Sequence, residues 1–165
     1  MRILIAGIGN ELMGDDGLGP IIIRMLAKVD LPGNIDRIDF GYRLYDLLLK
    51  IRDYDALIII DAIGLDGKPG ELFIIRPDSV KEFIDRVLRI DPHGATLRDI
   101  LRLAYRLGYL PSHTYIIGCI PKNISLGVGL SREVKECTGK IIRYIKKIVD
   151  ELSNPPPIPH VNQDT

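Results

Sequence analysis

Between Arg2 and Pro20 the chain reads RILIAGIGNELMGDDGLGP, and no other stretch limits the fold so strongly. The apolar run that ends at Ile8 is too short to cross a bilayer and has the pattern of a strand buried on both faces of a sheet. It empties into Gly7-Ile8-Gly9-Asn10, where glycine permits a tight turn and Asn10 can hydrogen-bond the loop backbone. Leu18, Ile21, Ile22, Met25, Leu26 and Val29 then recur at helical spacing, with Pro20 tolerable only in a first turn. Strand, glycine loop and helix form the opening unit of a parallel α/β sheet, which places its chemistry at the strand C-termini. Asp15 and Asp16 stand where a phosphate-binding loop would present neutral backbone donors and no negative charge.

The rest of the chain extends that unit. Ile35 to Phe40 reads as a second strand, and Leu44, Leu47, Leu48 and Ile51 mark a short helix. Ala56 to Asp61 is a third strand whose unbroken apolar run places it centrally, terminated by one carboxylate. The link from Gly64 to Gly70 is too short for a helical crossover, so the strand Glu71 to Ile75 should run antiparallel to its predecessor, at or near an edge. A helix is expected within Pro77 to Ile90, with Val80, Phe83, Ile84, Val87 and Leu88 on its apolar face. Another should run from a Thr96 cap, with Asp99 closing a capping box, to about Leu107. Thr114 to Ile120 reads as the last central strand, and Ser131 opens a helix to about Leu152. These elements imply a three-layer α/β sandwich: a twisted, mostly parallel five-stranded sheet with one antiparallel strand and helices on both faces. One domain over residues 1–153 is expected, followed by a Pro-rich tail, 154–165, that is extended or disordered.

Charge and cysteine content narrow the function. Lys plus Arg and Asp plus Glu number 22 each, without the basic excess that a nucleic-acid surface requires. No apolar stretch approaches ~20 residues, so no membrane insertion is expected. Met1-Arg2 leads straight into strand pattern with no cleavage site, which points to a cytoplasmic protein. Cys119 and Cys137 fit reduced core thiols in that setting.

Three side chains stand at strand ends or in a loop that can reach them: Asp16, Asp61 and His93. Strands one and three, as neighbours feeding helices on opposite faces, would open a crevice between their C-terminal ends, flanked by Asp16 and Asp61. Two carboxylates and an imidazole suit zinc, nickel or another divalent ion with open positions; paired acids can equally activate a water without a tightly held ion. No Ser-His-Asp or Cys-His arrangement supports a nucleophilic route. Blander roles compete: Asp15 or Asp16 as a helix N-cap, His93 as a surface or capping residue, and His113 and His160 as solvated ones. A rival class is a Rossmann-like nucleotide binder, because Gly7-x-Gly9 and Asp39 imitate the dinucleotide fingerprint. Leu12 occupies the third glycine's place, and two acids would face the pyrophosphate.

The blocks GIGNELMGDDGLGP, LIIIDAI followed by GKPGE, PHGATLRDIL, and GCIP ending in GLS with Val134 resemble the hydrogenase maturation endopeptidases, which finish the large subunit of nickel-iron hydrogenases. The likeness runs from Arg2 to about Leu152. It implies removal of a short C-terminal extension from a nickel-iron hydrogenase large-subunit precursor once nickel is inserted. The nickel would then be supplied by the substrate, with another divalent ion as the candidate in isolation. By position, Asp16 falls on the first metal-contacting acid, Asp61 on the second and His93 on the histidine. Asp39 and Asp99 match further family acids, and Asp99 could orient the His93 ring. Two departures stand out: Asp39-Phe40-Gly41-Tyr42 replaces the common Asp-Gly-Gly-Thr, and Ile120 sits where an acid or amide is usual. A non-catalytic hydrogenase assembly chaperone of the same fold is the remaining alternative.

Overall fold

The computed structural model describes residues 1–86 and 96–155. Five strands form one sheet: β1 (Ile3–Ile8), β2 (Ile35–Gly41), β3 (Ala56–Ala62), β4 (Leu72–Ile75) and β5 (His113–Cys119). Their order is β2-β1-β3-β5-β4, with β1, β2, β3 and β5 parallel and β4 antiparallel to β5 at the edge. β3 is therefore the middle strand, as its composition requires. Leu57, Ile58, Ile59 and Ile60 are fully buried, worth an upper limit of roughly 6–12 kcal/mol together.

Period-two alternation divides the core. Ile3, Ile5, Ile58, Ile60 and Ile117 face α1 (Leu18–Leu26) and α5 (Arg132–Ser153). Leu4, Ala6, Ile8, Leu57 and Ile59 face α2 (Leu44–Ile51), α3 (Pro77–Asp85) and α4 (Leu97–Arg106). The result is the three-layer arrangement expected from the sequence. Gly64 to Gly70 does return the chain antiparallel, but β4 pairs with β5 and not with β3. α1 stops at Leu26, short of the periodic Val29, because Lys28 and Val29 donate to Met25 and Leu26 in tighter turns.

The cap predicted at Thr96 forms, and Ser131, expected to open the last helix, also caps it. Asp99 N–H donates to Thr96 Oγ1 while the Asp99 carboxylate accepts from Thr96 N–H, and Ser131 caps α5 through Val134 N–H. α3 covers the first part of the helix expected within Pro77 to Ile90; Val87, Leu88 and His93 lie outside the described residues, as do 156–165 of the Pro-rich tail. No described helix is long and apolar enough to cross a membrane. Cys119 and Cys137 are buried free thiols.

Candidate functional site

The turn after β1 is built on Gly9. Its φ is +121°, and a Cβ there would stand 1.9 Å from the Asp16 carbonyl oxygen. Only glycine lets the 3-10 turn Gly14–Gly17, which carries both acids, fold so closely onto the strand end. The Asn10 side chain accepts from Leu12 N–H at 2.9 Å, holding the turn as expected.

The two adjacent acids diverge completely. Asp16 turns back toward the sheet: its Oδ2 accepts from Asn10 N–H at 2.8 Å and from the Tyr42 hydroxyl. Among the described residues no donor reaches its Oδ1. Asp15 is fully buried and accepts from Lys122 N–H at 2.8 Å, Asn123 N–H at 3.0 Å, Ser131 N–H at 2.6 Å and Ser131 Oγ–H at 2.9 Å. Burial alone would raise its carboxyl pKa, but the amides of Ser131, Asn123 and Lys122 and the Ser131 hydroxyl pull it below the ordinary value. Neither acid caps a helix. Met13 and Gly17 occupy the N-cap positions of the 3-10 turn and α1, with no side-chain bond at either. The capping role is corrected accordingly: both carboxylates are taken up by partners outside the turn.

Asp61 is the penultimate residue of β3, 8% exposed, on the face of the sheet that carries α2, α3 and α4. Beneath it Gly118 of β5 must be glycine, since a Cβ would lie 1.8 Å from the Asp61 carbonyl oxygen. Burial first, and the Asp16 charge second, push the Asp61 carboxyl well above its ordinary value against the opposing Ala62 amide. The Asp16 charge therefore acts on the Asp61 carboxyl and disfavours its ionisation.

Tyr42 is the residue of the candidate site that sequence reasoning missed. Its departure from the common Thr was visible, but not that its phenol, 26 residues along the chain, would donate to Asp16. Burial, the Asp16 hydrogen bond and the Asp16 and Asp61 charges raise its pKa, so it stays a donor. Asn10 and Tyr42, the two donors to Asp16, line a cleft of about 380 Å³ with Leu12, Pro20 and Asp39. Asp39 itself accepts from Gly41 N–H at 2.8 Å, shaping the loop after β2. Of the expected trio, Asp16 and Asp61 are both buried and the Asp16 charge acts on Asp61; His93 lies outside the described residues. Asp99 spends its carboxylate on Thr96 and Arg102.

The fold is thus a mostly parallel α/β sheet with two buried carboxyl groups, Asp16 and Asp61, near the C-terminal ends of β1 and β3. The hydrogenase maturation protease family model matches residues 20–149. The chain is 34% identical over 152 residues to the hydrogenase expression/formation protein HupD of Rhodobacter capsulatus, covering 92% of this chain and 71% of that one. It is 32% identical over 137 residues to the hydrogenase 2 maturation protease of Escherichia coli, 82% of each chain. The structure of the hydrogenase maturating endopeptidase HybD of E. coli superposes with a TM-score of 0.80 at 29% identity, over 92% of this chain and 94% of the other. The nickel-iron hydrogenase maturation protease HybD of Thermococcus kodakarensis gives 0.72 at 32% identity, over 90% and 99%. This chain belongs to the hydrogenase maturation protease family.

Proposed function

We propose that the protein removes the C-terminal extension of a nickel-iron hydrogenase large-subunit precursor after nickel insertion, and that Asp16, Asp61 and His93 recognise the metal. Nickel enters as part of the substrate. The observation that carries this reading is the electrostatic coupling of Asp16 and Asp61: two buried carboxyl groups, one just after β1 and one near the end of β3, with burial and the Asp16 charge pushing the Asp61 carboxyl well above its ordinary value. A divalent cation arriving beside them would favour ionisation of both, so the pair is suited to an incoming metal. Asp16 Oδ1, which no donor among the described residues reaches, is the natural oxygen for that contact, because Oδ2 is already engaged by Asn10 and Tyr42.

Docking would set the scissile peptide beside a water activated by the metal or by one of the carboxylates. The water oxygen bonds the carbonyl carbon, a carboxylate takes its proton, and that proton passes to the departing amine as the C–N bond breaks. No covalent intermediate with the enzyme is required.

The test is incubation of the protein with nickel-loaded and nickel-free precursor, followed by intact-mass measurement. Shortening of the nickel-loaded form alone is expected. Equal cleavage of both removes the metal-reading role, and nickel-dependent binding without cleavage makes the protein an assembly chaperone.

A further inference from the structure

One oxygen of the Asp16 carboxylate is fully taken up. Its Oδ2 accepts from Asn10 N–H at 2.8 Å and from the Tyr42 hydroxyl, and a carboxylate oxygen offers two acceptor sites in all. The phenol therefore completes what the backbone amide begins. Core packing does not explain its position: Tyr42 is 60% exposed, and its hydroxyl is the part that reaches the buried carboxylate. Burial of that hydroxyl, the bond to Asp16 and the Asp16 and Asp61 charges raise its pKa, so it remains a donor at neutral pH.

The backbone beneath Tyr42 is fixed by three contacts. Gly9 N–H donates to the Gly41 carbonyl at 3.1 Å, tying the loop after β2 to the turn that follows β1. The Asp39 carboxylate accepts from Gly41 N–H at 2.8 Å. The Arg43 guanidinium donates to the Asp39 and Phe40 carbonyls at 2.6 and 3.1 Å. The loop thus delivers the phenol to Asp16 with little freedom.

A carboxylate held in this way has one oxygen to give. Chelation of a cation through both oxygens would have to displace the phenol or the amide. Calcium fills about six to eight positions with oxygen, often from chelating carboxylates. Nickel and zinc need fewer ligands and accept single carboxylate oxygens alongside nitrogen.

We infer that Tyr42 is a positioning residue that sets metal selectivity: by occupying Asp16 Oδ2 it keeps the carboxylate a one-oxygen ligand and favours a transition ion over calcium. The inference rests on the reading that Asp16 meets the cation, and it adds which ions that site turns away.

The experiment is calorimetric titration of the purified protein with nickel chloride and with calcium chloride, for wild type, Tyr42→Phe and Asp16→Asn, each with its melting temperature. Phenylalanine keeps the ring and drops only the hydroxyl of an exposed residue, so Tyr42→Phe should melt with wild type. Wild type should prefer nickel. In Tyr42→Phe the nickel-to-calcium affinity ratio should fall by about 10–100-fold, the range for a residue that orients a metal ligand, with calcium binding more tightly than to wild type. Asp16→Asn should lose both ions. The gain in calcium binding is the outcome that a merely structural role cannot give, because a loosened loop weakens both ions together. Calcium affinity that does not rise in Tyr42→Phe, whatever nickel does, overturns the selectivity and leaves the metal-reading role of Asp16 standing. Nickel binding that survives Asp16→Asn, or wild type that takes neither ion, overturns the inference together with the cation site beneath it, while cleavage of precursor still decides the peptidase reading.

Discussion

Replacing Asp15 with alanine should cost about 3–5 kcal/mol, the range for stripping one partner from a buried charged network. The carboxylate accepts four hydrogen bonds, three from backbone amides and one from a hydroxyl, at a position with no solvent exposure. Bonds to a charged group contribute roughly 1.5–3 kcal/mol each. Part of that sum returns when the loop between β5 and α5 shifts to let water reach its donors. For a chain of this length each kcal/mol moves the melting temperature by about 2–4 °C, so a fall of roughly 6–20 °C is expected. Asp15→Asn should lose most of the same stability, since its amide turns a donor toward donors, and this separates the charge from the cavity. Urea titration supplies the free energy, and hydrogen exchange at Lys122, Asn123 and Ser131 locates the loss. A fall below about 2 °C with unchanged exchange at those amides would refute the clamp.

Further consequences follow from the same geometry. Because the folded Asp15 pKa lies below its unfolded value, its stabilisation is complete above about pH 4 and disappears as pH falls through the folded value; acid unfolding of Asp15→Asn should therefore be the shallower of the two between wild type and variant. Tyr42→Phe removes one of two donors to Asp16 and should lower cleavage of nickel-loaded precursor about tenfold or more with the melting temperature held; unchanged kinetics would make the phenol incidental. Gly118→Ala forces a methyl against the Asp61 carbonyl and should destabilise by about 1–3 kcal/mol by urea titration, with activity falling in parallel.

Much of this architecture was legible because it is local. Continuous apolar runs marked β1 and β3, and a short glycine-rich link announced an antiparallel edge strand. Thr96 with Asp99, and Ser131 ahead of α5, satisfied helix ends within three residues. The strand-end rule pointed to Asp16 and Asp61, which lie buried just after β1 and near the end of β3. What escaped were contacts between distant residues. Asp15 finds its partners 107 to 116 positions away, and nothing in its own neighbourhood signals that. The Tyr42 bond to Asp16 and the bridge from Met13 to Gly127 depend likewise on how loops meet at one end of the sheet. The adjacent acids look equivalent as letters, yet a 3-10 turn sends one to the amides of Lys122, Asn123 and Ser131 and the other to Asn10 and Tyr42.

The sharpest test of the metal-reading pair is a single-turnover cleavage of nickel-loaded precursor by Asp61→Asn. Burial and Asp16 already favour the neutral acid at this position, so the isosteric amide should fold with an equal or higher melting temperature. Cleavage should nevertheless be abolished, because an amide cannot become the anion that an arriving cation demands. Shortening of the precursor at the wild-type rate would contradict the role assigned to the two carboxyl groups.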